Sequence, residues 1–311
     1  MELIQTGHRL GYKQTEVGWI PKDWQITELS RVIHSLSAGV SVNSIEGYTY
    51  SITSDSKYVL KTSSVQRGVF IPTESKKVAQ FDTRRARLNP TKNSLLISRM
   101  NTPDLVGQCA YVPNDFLNLY VPDRLWLTSF FPDKPTNALW MNYLLSNSFY
   151  QDRIKSIATG TSGSMKNISK RAFLSIVIPL PTFAEQKAIA TALFEVDALL
   201  QSLDRLIVKK KALKQGAMQE LLTGRKRLEG FETEKGFQHT ELGPIPIDWE
   251  LIPISDFTVE GGLIRGPFGG VLKKEIFVKN GYKVYEQKNA IHQDVTIGRY
   301  YELAPKNWTV S

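Results

Sequence analysis

The sequence predicts an α/β fold of the mixed α+β type, in which one domain is followed by a long coiled-coil-like helix and the start of a second, similar domain. Three observations carry this prediction. A ten-residue segment occurs twice, short β-rich runs fill residues 18–181, and a heptad-spaced apolar stripe begins soon after residue 185. We therefore expect a first domain at residues 1–183, a spacer helix at 184–224, a linker at 225–238 and a second domain that starts within 239–311.

The repeated segment is residues 15–24, which return as residues 240–249 with seven of ten positions identical at a constant offset of 225. A duplication at this distance indicates two similar domains rather than a solenoid of short repeats. At the same offset Ser311 corresponds to Ala86, so we expect the second domain to be incomplete in this sequence. A chain that carries one large module twice is expected to recognise two similar targets.

The composition favours a polyanionic partner. The chain has 311 residues, a formal net charge of +9 and a pI near 9.4, which does not distinguish DNA, RNA or an acidic protein. The single cysteine, Cys109, excludes a disulfide framework and is expected to be a small buried residue. The four histidines show no metal-ligand spacing. Without a membrane-length apolar run or a signal peptide, the sequence is typical of a cytoplasmic protein.

The first domain is predicted from short β-rich runs that turn residues separate. These predicted strands lie at residues 58–60, 68–71, 94–98, 108–112, 124–128 and 175–181. Residues 137–157 have helical apolar spacing and are predicted to form one helix.

The segment after Pro181 is the clearest helix in the sequence. Thr182 stands three residues before Glu185, which is the spacing of a capping box, and Gly224 suits the position just after a helix. The apolar stripe of this helix follows heptad steps of four and three through Ile189, Leu193, Val196, Leu200, Leu203 and Ile207. A helix of this length, roughly 60 Å, is predicted to be a spacer paired with another helix. An ordinary core helix is the alternative.

No catalytic constellation stands out in the sequence. It lacks the G-x-x-x-x-G-K-[ST] phosphate loop and the Asn/Asp-Pro-Pro-Tyr motif of amino-methyltransferases. The glycine-rich residues 261–270 lack the strand and helix context of a nucleotide site and are predicted to form a turn. We therefore expect the chain to be non-catalytic.

Polar and basic residues are concentrated on loops between the predicted strands. A basic cluster lies at residues 84–87, residues 99–102 follow a strand, and a Gly/Ser/Thr-rich loop at 159–167 ends in a Lys-Asn pair. Small hydroxyl residues and glycine let a backbone approach phosphates, and Arg and Asn can read base edges bidentately. Each loop taken alone is equally typical of a solvated surface.

Three stretches resemble the specificity subunits of Type I restriction-modification systems. The repeated Gly-x-Ile-Pro-x-Asp-Trp opening lies at residues 18–24 and 243–249. The most specific stretch is the 160–169 loop, followed by a strand with Leu-Pro and then by Glu-Gln-x-x-Ile-Ala at 185–190. The third is Ile-Arg-Gly-Pro-Phe-Gly-Gly at 264–270. The resemblance covers nearly the whole chain.

The resemblance implies that each domain is a target recognition domain, which reads one half of a split site in double-stranded DNA while the helix sets the gap. It implies that two methyltransferase subunits and ATP-dependent restriction (motor-nuclease) subunits dock on the chain and perform all catalysis. S-adenosylmethionine is then expected in the methyltransferase, with no cofactor bound by this chain. Family members normally have a complete second domain and a second helix. A chain of about half that length is expected to form a homodimer through its single long helix.

The same resemblance implies which residues contact DNA. The expected DNA-binding residues are Ser63, Ser64, Arg67, Arg99, Asn101, Thr102, Arg124, Thr161, Ser162, Ser164, Lys166 and Asn167. The heptad stripe of the long helix is the expected subunit-docking face, and no catalytic or metal-binding residue is expected. Two alternatives stay open, namely the recognition part of a fused methyltransferase or nuclease enzyme, and a coiled-coil scaffold without DNA specificity.

Overall fold

A computed structural model divides the chain into two compact units, Met1–Lys209 and Lys210–Ser311. The structure describes residues 11–48, 50–51, 55–160, 164–231, 234–262, 277–278, 282–292, 296 and 299–301. The division falls inside one long helix, and the domain boundaries that the sequence predicts stay predictions.

The described residues of the first unit form sixteen strands and three short α-helices, and the long helix α4 starts in this unit. The strands are β1 (Tyr12–Thr15), β2 (Gly18–Pro21), β3 (Gln25–Glu28), β4 (Ile33–Ala38), β5 (Ser44–Ile45), β6 (Tyr58–Leu60), β7 (Val65–Gln66), β8 (Val69–Phe70), β9 (Ser75–Val78), β10 (Ser94–Ser98), β11 (Met100–Asn101), β12 (Cys109–Val112), β13 (Leu119–Tyr120), β14 (Leu125–Phe130), β15 (Lys166–Asn167) and β16 (Val177–Leu180). The helices are α1 (Ala138–Ser146), α2 (Ser148–Ser156), α3 (Lys170–Leu174) and α4 (Phe183–Leu222).

The second unit contains the end of α4 and short elements. These are β17 (Phe237–Thr240), β18 (Gly243–Pro246), β19 (Phe277–Val278), β20 (Tyr282–Val284), α5 (Gln287–His292) and β21 (Arg299–Tyr301). The mixed α/β architecture with a long helix is the fold class that the sequence predicts.

Two four-stranded sheets form the body of the first unit. The central sheet has the order β12-β10-β14-β4 and is antiparallel throughout. The second sheet has the order β13-β6-β9-β5, in which β13 and β6 are parallel. Each of the strand predictions from the sequence within residues 58–128 corresponds to a strand of these sheets or to β8.

The strand β10 is buried on both faces. Leu95 and Ile97 belong to one apolar core, which also contains Trp126 and Phe173, whereas Leu96 belongs to a second core. All three β10 residues have 0% exposure. Successive side chains of a strand point to opposite faces, so the central sheet separates the two cores. A strand that is buried on both faces reads as a continuous apolar run, which is why the sequence predicted it.

The helix predicted at residues 137–157 is instead two helices, α1 and α2, that break at Asn147. The backbone of Asn147 is extended, with φ −62° and ψ 145°, and its side chain accepts a hydrogen bond from Phe149 N. Asn is a strong N-cap residue because its side-chain oxygen satisfies an otherwise unpaired amide. The apolar spacing continues across the break, and for that reason the prediction of one helix was wrong.

The repeated segment forms the same hairpin in each unit. β1 pairs with β2 in the register Thr15↔Gly18, and β17 pairs with β18 in the register Thr240↔Gly243. Both threonine hydroxyls donate to the carbonyl of the paired glycine, at 2.7 and 2.8 Å. The duplication read from the sequence is therefore also a duplication of local structure.

Each hairpin is fastened by a different long-range contact. In the first unit Trp24 Nε1 donates to Glu185 Oε2 at 3.0 Å. In the second unit Arg227 Nη1 lies 2.5 Å from Asp248 Oδ1, and the Arg227 guanidinium lies 5.5 Å from the ring centroid of Trp249. The side chains of this ion pair are only 16% and 9% exposed. This buried pair holds the end of the repeated segment at residues 240–249 against the segment that follows α4.

The base of α4 is tied into the first unit. Thr182 Oγ1 accepts a hydrogen bond from Glu185 N at 3.3 Å, which is half of the predicted capping box. The Glu185 carboxylate accepts from the Trp24 indole instead of completing the box. Gln186 is 2% exposed, and its Oε1 accepts from Asn137 N at 2.9 Å. The Tyr143 hydroxyl donates to Asp197 Oδ2 at 2.5 Å, and burial together with this carboxylate raises the pKa of Tyr143.

Gly107 in the first unit gives a direct test of how closely the core around Ile154 is packed. Gly107 has φ 81°, and a Cβ there would lie 2.2 Å from Ile154 Cγ2 in the core. We expect Gly107→Ala to lower the free energy of unfolding by at least about 2 kcal/mol, because it combines a left-handed backbone with overpacking. Urea unfolding followed by tryptophan fluorescence measures this. The control is Gly216→Ala in α4, where nothing lies within 4 Å of the added Cβ and where a gain of about 1 kcal/mol is expected. Equal effects of the two changes would contradict the packing described.

The ion pair of the second unit gives another test. Arg227→Ala leaves the Asp248 carboxylate buried without its partner, and such a loss costs about 3 kcal/mol or more. We expect hydrogen exchange at the amides of residues 237–246 to become faster, while exchange in the first unit stays unchanged. The adjacent Lys226 is exposed, so Lys226→Ala serves as the control for the loss of one charge. Protection that survives in Arg227→Ala would show that the pair does not hold the hairpin.

Candidate nucleic-acid interface

Six of the predicted DNA-binding residues meet where the central sheet ends. We call them the Arg99 cluster: Arg99, Asn101, Thr102, Arg124, Lys166 and Asn167. Arg99 N donates to Arg124 O at 3.1 Å, and Ile168 N donates to Arg99 O at 2.9 Å. β11 and β15 pair in the register Met100↔Asn167 and Asn101↔Lys166. Segments that are far apart in the sequence are therefore joined by backbone hydrogen bonds.

Arg99 is held from the core side by an aromatic ring. It directly follows β10, is half-buried, and its guanidinium carbon lies 5.9 Å from the ring centroid of Trp126. Trp126 is 1% exposed. A cation over an aromatic face is attracted by about 0.5–2 kcal/mol, depending on its exposure. Arg99 Nε is buried and has no hydrogen-bond partner among the described residues. The Trp126 ring thus orients the guanidinium of Arg99, while its Nε–H donor remains unused by the described part of the chain.

The side chain of Asn101 shapes the loop after β10. Its Nδ2 donates to Ser98 Oγ at 3.1 Å, and its Oδ1 accepts from Thr102 N at 2.9 Å. The carbonyl of Thr102 accepts from the amides of Leu105 and Val106, while its side chain is exposed. Asn101 would have to exchange its local hydrogen bonds to read a base, whereas the Thr102 side chain is exposed.

The other side of the cluster is the loop before α3. Lys166 Nζ donates to Gly160 O at 3.0 Å, and Asn167 Oδ1 is buried without a partner within the described ranges. Ser164 is exposed. The predicted contacts Thr161 and Ser162 lie outside the described residues.

The remaining predicted contacts, Ser63, Ser64 and Arg67, lie beside the strands β7 and β8. The Ser63 hydroxyl donates to Glu74 Oε2 at 2.6 Å, and this bond, together with Lys61, lowers the pKa of Glu74. Ser64 has 0% exposure and its hydroxyl donates to Lys61 O at 2.7 Å. The Ser64 hydroxyl is therefore buried and bonded within the turn, which it stabilises. Arg67 is exposed.

Gln108, which the sequence did not single out, links these two groups. Its backbone carbonyl accepts from Ser98 N at 2.8 Å, one residue before Arg99. Its side-chain Oε1 accepts from Arg67 N at 2.8 Å. Gln108 is 8% exposed. In the sequence it is one polar residue at the start of a strand, so nothing local marks this double role.

A second candidate surface is the apolar stripe of α4. Five of its predicted residues are 41–55% exposed, namely Leu193, Val196, Leu200, Leu203 and Ile207. Ile189, nearer the base, is partly buried and packs on the first core. Beyond Ile189 the exposure of these residues disagrees with the alternative of an ordinary core helix. Apolar side chains in a continuous stripe indicate a docking surface.

A cavity of about 600 Å³ lies at the base of α4, away from the Arg99 cluster. It is bordered by charged side chains, among them Asp23, Arg31 and Lys134. No member of the cluster lines it.

The described residues contain no group of three or more His, Cys, Asp or Glu side chains that could hold a metal ion. Cys109 is buried, as expected, and burial raises the pKa of its thiol to about 11. None of the helices in the described ranges is long and apolar enough to cross a membrane.

Comparison with known proteins places the chain beside restriction-system subunits. It is 28% identical over 264 residues to a protein named for the specificity subunit of type I restriction enzyme MjaX of Methanocaldococcus jannaschii, covering 82% of this chain and 57% of the relative. It is 30% identical over 151 residues to the MjaVIII specificity subunit of the same organism, covering 49% and 32%. The solved S subunit of the Type-I restriction-modification system from M. genitalium aligns with a TM-score of 0.42 at 19% identity, covering 66% and 47%.

The chain spans about half the length of the curated relatives it matches. The sequence profile of the Type I restriction modification DNA specificity domain matches residues 21–210, which include the Arg99 cluster and the base of α4. By this match the chain belongs to the Type I restriction modification DNA specificity domain family.

Proposed function

We propose that this chain reads DNA sequence within a Type I restriction-modification assembly and performs no catalysis itself. The observation that carries the proposal is the Arg99 cluster. It gathers three cations and two side-chain amides at the end of a buried sheet, in a chain of the DNA specificity domain family. Arginine and lysine suit phosphates, and arginine and asparagine also match guanine and adenine edges in the major groove.

The geometry of the Arg99 cluster favours sequence-specific DNA binding over non-specific DNA binding. Non-specific DNA binding needs only mobile positive charge, but the backbone of Arg99 is held by hydrogen bonds to Arg124 and Ile168, and its guanidinium lies over a core tryptophan. A fixed head group loses less conformational entropy when it binds, and it discriminates between base edges. This rigidity supports sequence-specific contact by the cluster.

The duplicated hairpin supports a split target. The first unit is one reader, and the second hairpin begins a second module of the same kind after α4. Two such modules joined by a helix would read two half-sites at a fixed separation. Recognition of a split site is therefore the form of DNA reading that we propose.

The exposed stripe of α4 supports the proposed partners. Two methyltransferase subunits and the ATP-dependent restriction (motor-nuclease) subunits would assemble around this helix, and the methyltransferases would bind S-adenosylmethionine. A second helix would cover the stripe, supplied either by a longer form of this chain or by a second copy in a homodimer. The heptad spacing of the exposed residues suits either kind of helix pair.

The two alternatives have less support. A fused methyltransferase would need the Asn/Asp-Pro-Pro-Tyr motif around its target base, which the sequence lacks. A coiled-coil scaffold without DNA specificity would explain the α4 stripe but not the clamped arginine of the Arg99 cluster.

The DNA proposal is tested with Arg99→Ala and Asn101→Ala. We expect the double variant to bind its target at least about tenfold more weakly, since a good base contact discriminates by about 1–3 kcal/mol. Target DNA is identified by mapping methylated adenines in cells that carry the chain and its methyltransferase subunits. Affinity is measured by fluorescence anisotropy at several salt concentrations, because phosphate contacts weaken steeply with salt.

The control for this test is Arg31→Ala, which removes an exposed arginine elsewhere in the first unit. It should leave both affinity and the methylation motif unchanged. If the double variant also keeps the wild-type affinity and motif, the Arg99 cluster does not read DNA. If no motif is methylated with the wild-type chain, the proposed function itself fails.

The docking proposal is tested with the double change Leu200→Gln and Leu203→Gln. These side chains are 55% and 45% exposed, so the variant should unfold like the wild type yet fail to assemble. Size-exclusion chromatography with light scattering measures the mass of the chain alone and with its methyltransferase subunits. Arg205→Gln is the matched control, because heptad counting places Arg205 on the opposite side of the helix. Normal assembly of the double variant would overturn the role of the stripe.

A further inference from the structure

Arg67 has a backbone conformation that few arginines adopt. Its φ is 45°, and the φ of the following Gly68 is 87°. Gln66 pairs with Val69, so Arg67 and Gly68 form a two-residue loop between β7 and β8. Positive φ at both loop residues is the requirement of a type I′ turn, for which Asn-Gly and Asp-Gly are preferred. An arginine at the first position is strained where asparagine or glycine would not be.

Three hydrogen bonds hold this loop against the core. Arg67 N donates to Gln108 Oε1 at 2.8 Å, and Gly68 N donates to Cys109 O at 3.0 Å. Asn142 Nδ2 donates to Gly68 O at 2.9 Å. The loop is therefore fixed to β12 and α1 rather than standing free in solvent.

Gln108 and Gln151, which are 8% and 7% exposed, form a buried amide pair behind the loop. Asn142, which is 3% exposed, bonds Gly68 O through its Nδ2, whereas its Oδ1 has no hydrogen-bond partner among the described residues. Gln108 Nε2 donates to Gln151 Oε1 at 2.9 Å, and Gln151 Nε2 donates to Leu145 O at 2.7 Å. Buried amides destabilise a core unless they are hydrogen-bonded. Here two glutamines in series are satisfied by each other and by the backbone of the Arg67 loop.

The side chain that this network presents is available to a ligand. Arg67 is exposed, and within the described ranges its guanidinium forms no hydrogen bond or ion pair. The carbonyl of Gln108 also accepts from Ser98 N, and Ser98 directly precedes Arg99. Gln108 is therefore hydrogen-bonded both to the Arg67 loop and to the end of the strand that carries Arg99. Strain at an exposed cation next to a candidate interface points to a functional side chain.

We propose that Arg67 reads a guanine in the DNA target and that Gln108 and Gln151 are positioning residues that fix its loop. The proposal rests on the DNA-reading function proposed above and names one base contact within it. A phosphate can be reached by a flexible cation on an unstrained backbone. Bidentate contact with O6 and N7 of guanine instead needs the planar guanidinium fork, which lysine lacks, and the bonded loop holds the backbone that carries this fork in one place.

The experiment separates the turn from the side chain. Arg67→Asn supplies the residue that a type I′ turn prefers, so the variant should unfold at an equal or higher urea concentration than the wild type. Each chain, assembled with its methyltransferase subunits, is used to select ligands from a random duplex pool. We expect Arg67→Asn to lose the preference for guanine at one position, with binding to the wild-type site about 5- to 150-fold weaker. Arg67→Lys, which keeps the charge, should lose the same preference.

Arg31→Asn is the matched control, because Arg31 is also exposed but does not have a positive φ. It should leave the selected motif unchanged. The positioning role is tested with Gln108→Met alone and in the Arg67→Asn background. Gln108→Met should weaken the guanine preference when Arg67 is present and should change no base preference when Arg67 is absent. A merely structural glutamine would lower stability in both backgrounds without touching the motif.

The outcomes are distinct. A wild-type motif that Arg67→Asn still selects overturns the inference while the DNA-reading function stands. A uniform loss of affinity in Arg67→Asn that Arg67→Lys restores also overturns it, since that pattern marks a phosphate contact. Absence of any motif with the wild-type assembly refutes the proposed function instead. If Gln108→Met does not fold, the two Arg67 variants still decide the base contact.

Discussion

The burial of β10 on both faces is the constraint on which the rest of the first unit depends. Leu95 and Ile97 fill one core and Leu96 the other, and each fully buried side chain of this kind contributes about 1.5–3 kcal/mol. A strand that is dry on both sides cannot present side chains to a ligand along its length. In the function that we propose, the DNA contacts of this strand would begin where it ends, at Arg99.

At the start of β12, Gln108 connects the two candidate surfaces, the Arg67 loop and the Arg99 cluster. Gln108 lies beside the end of β10, and it bonds Ser98 through its backbone and Arg67 through its side chain. One rigid residue thus fixes the Arg67 loop and adjoins the Arg99 cluster. Base reading needs such fixed relative positions, because a mobile side chain loses conformational entropy with each contact.

The sequence predicted those elements whose signal is local. The apolar run of β10 and the heptad stripe of α4 depend on neighbouring residues, and the repeat at residues 15–24 and 240–249 was visible as a duplication, although its hairpin was not predicted. The sequence did not predict features that depend on contacts between residues distant in the chain. The box partner of Thr182, Glu185, bonds the Trp24 indole, 161 positions away in sequence. The buried state of Ser64 and the role of Gln108 likewise depend on tertiary contacts. Asn147 shows the converse, since a local cap overrides an apolar spacing that continues past it.

If α4 separates two recognition domains, it must be stiff. The hydrogen bonds of the structure fix the base of this helix. Its base is fixed by Gln186, by Glu185 and by the Tyr143–Asp197 hydrogen bond. Beyond Asp197 the stripe residues Leu200, Leu203 and Ile207 remain exposed. A single helix in water is only marginally stabilised by its own hydrogen bonds, and most helical stability comes from packing of an apolar face. A partner helix on the stripe would therefore do more than hold subunits together. It would make the spacer rigid, and the separation of the two half-sites would depend on that partner as much as on the length of α4.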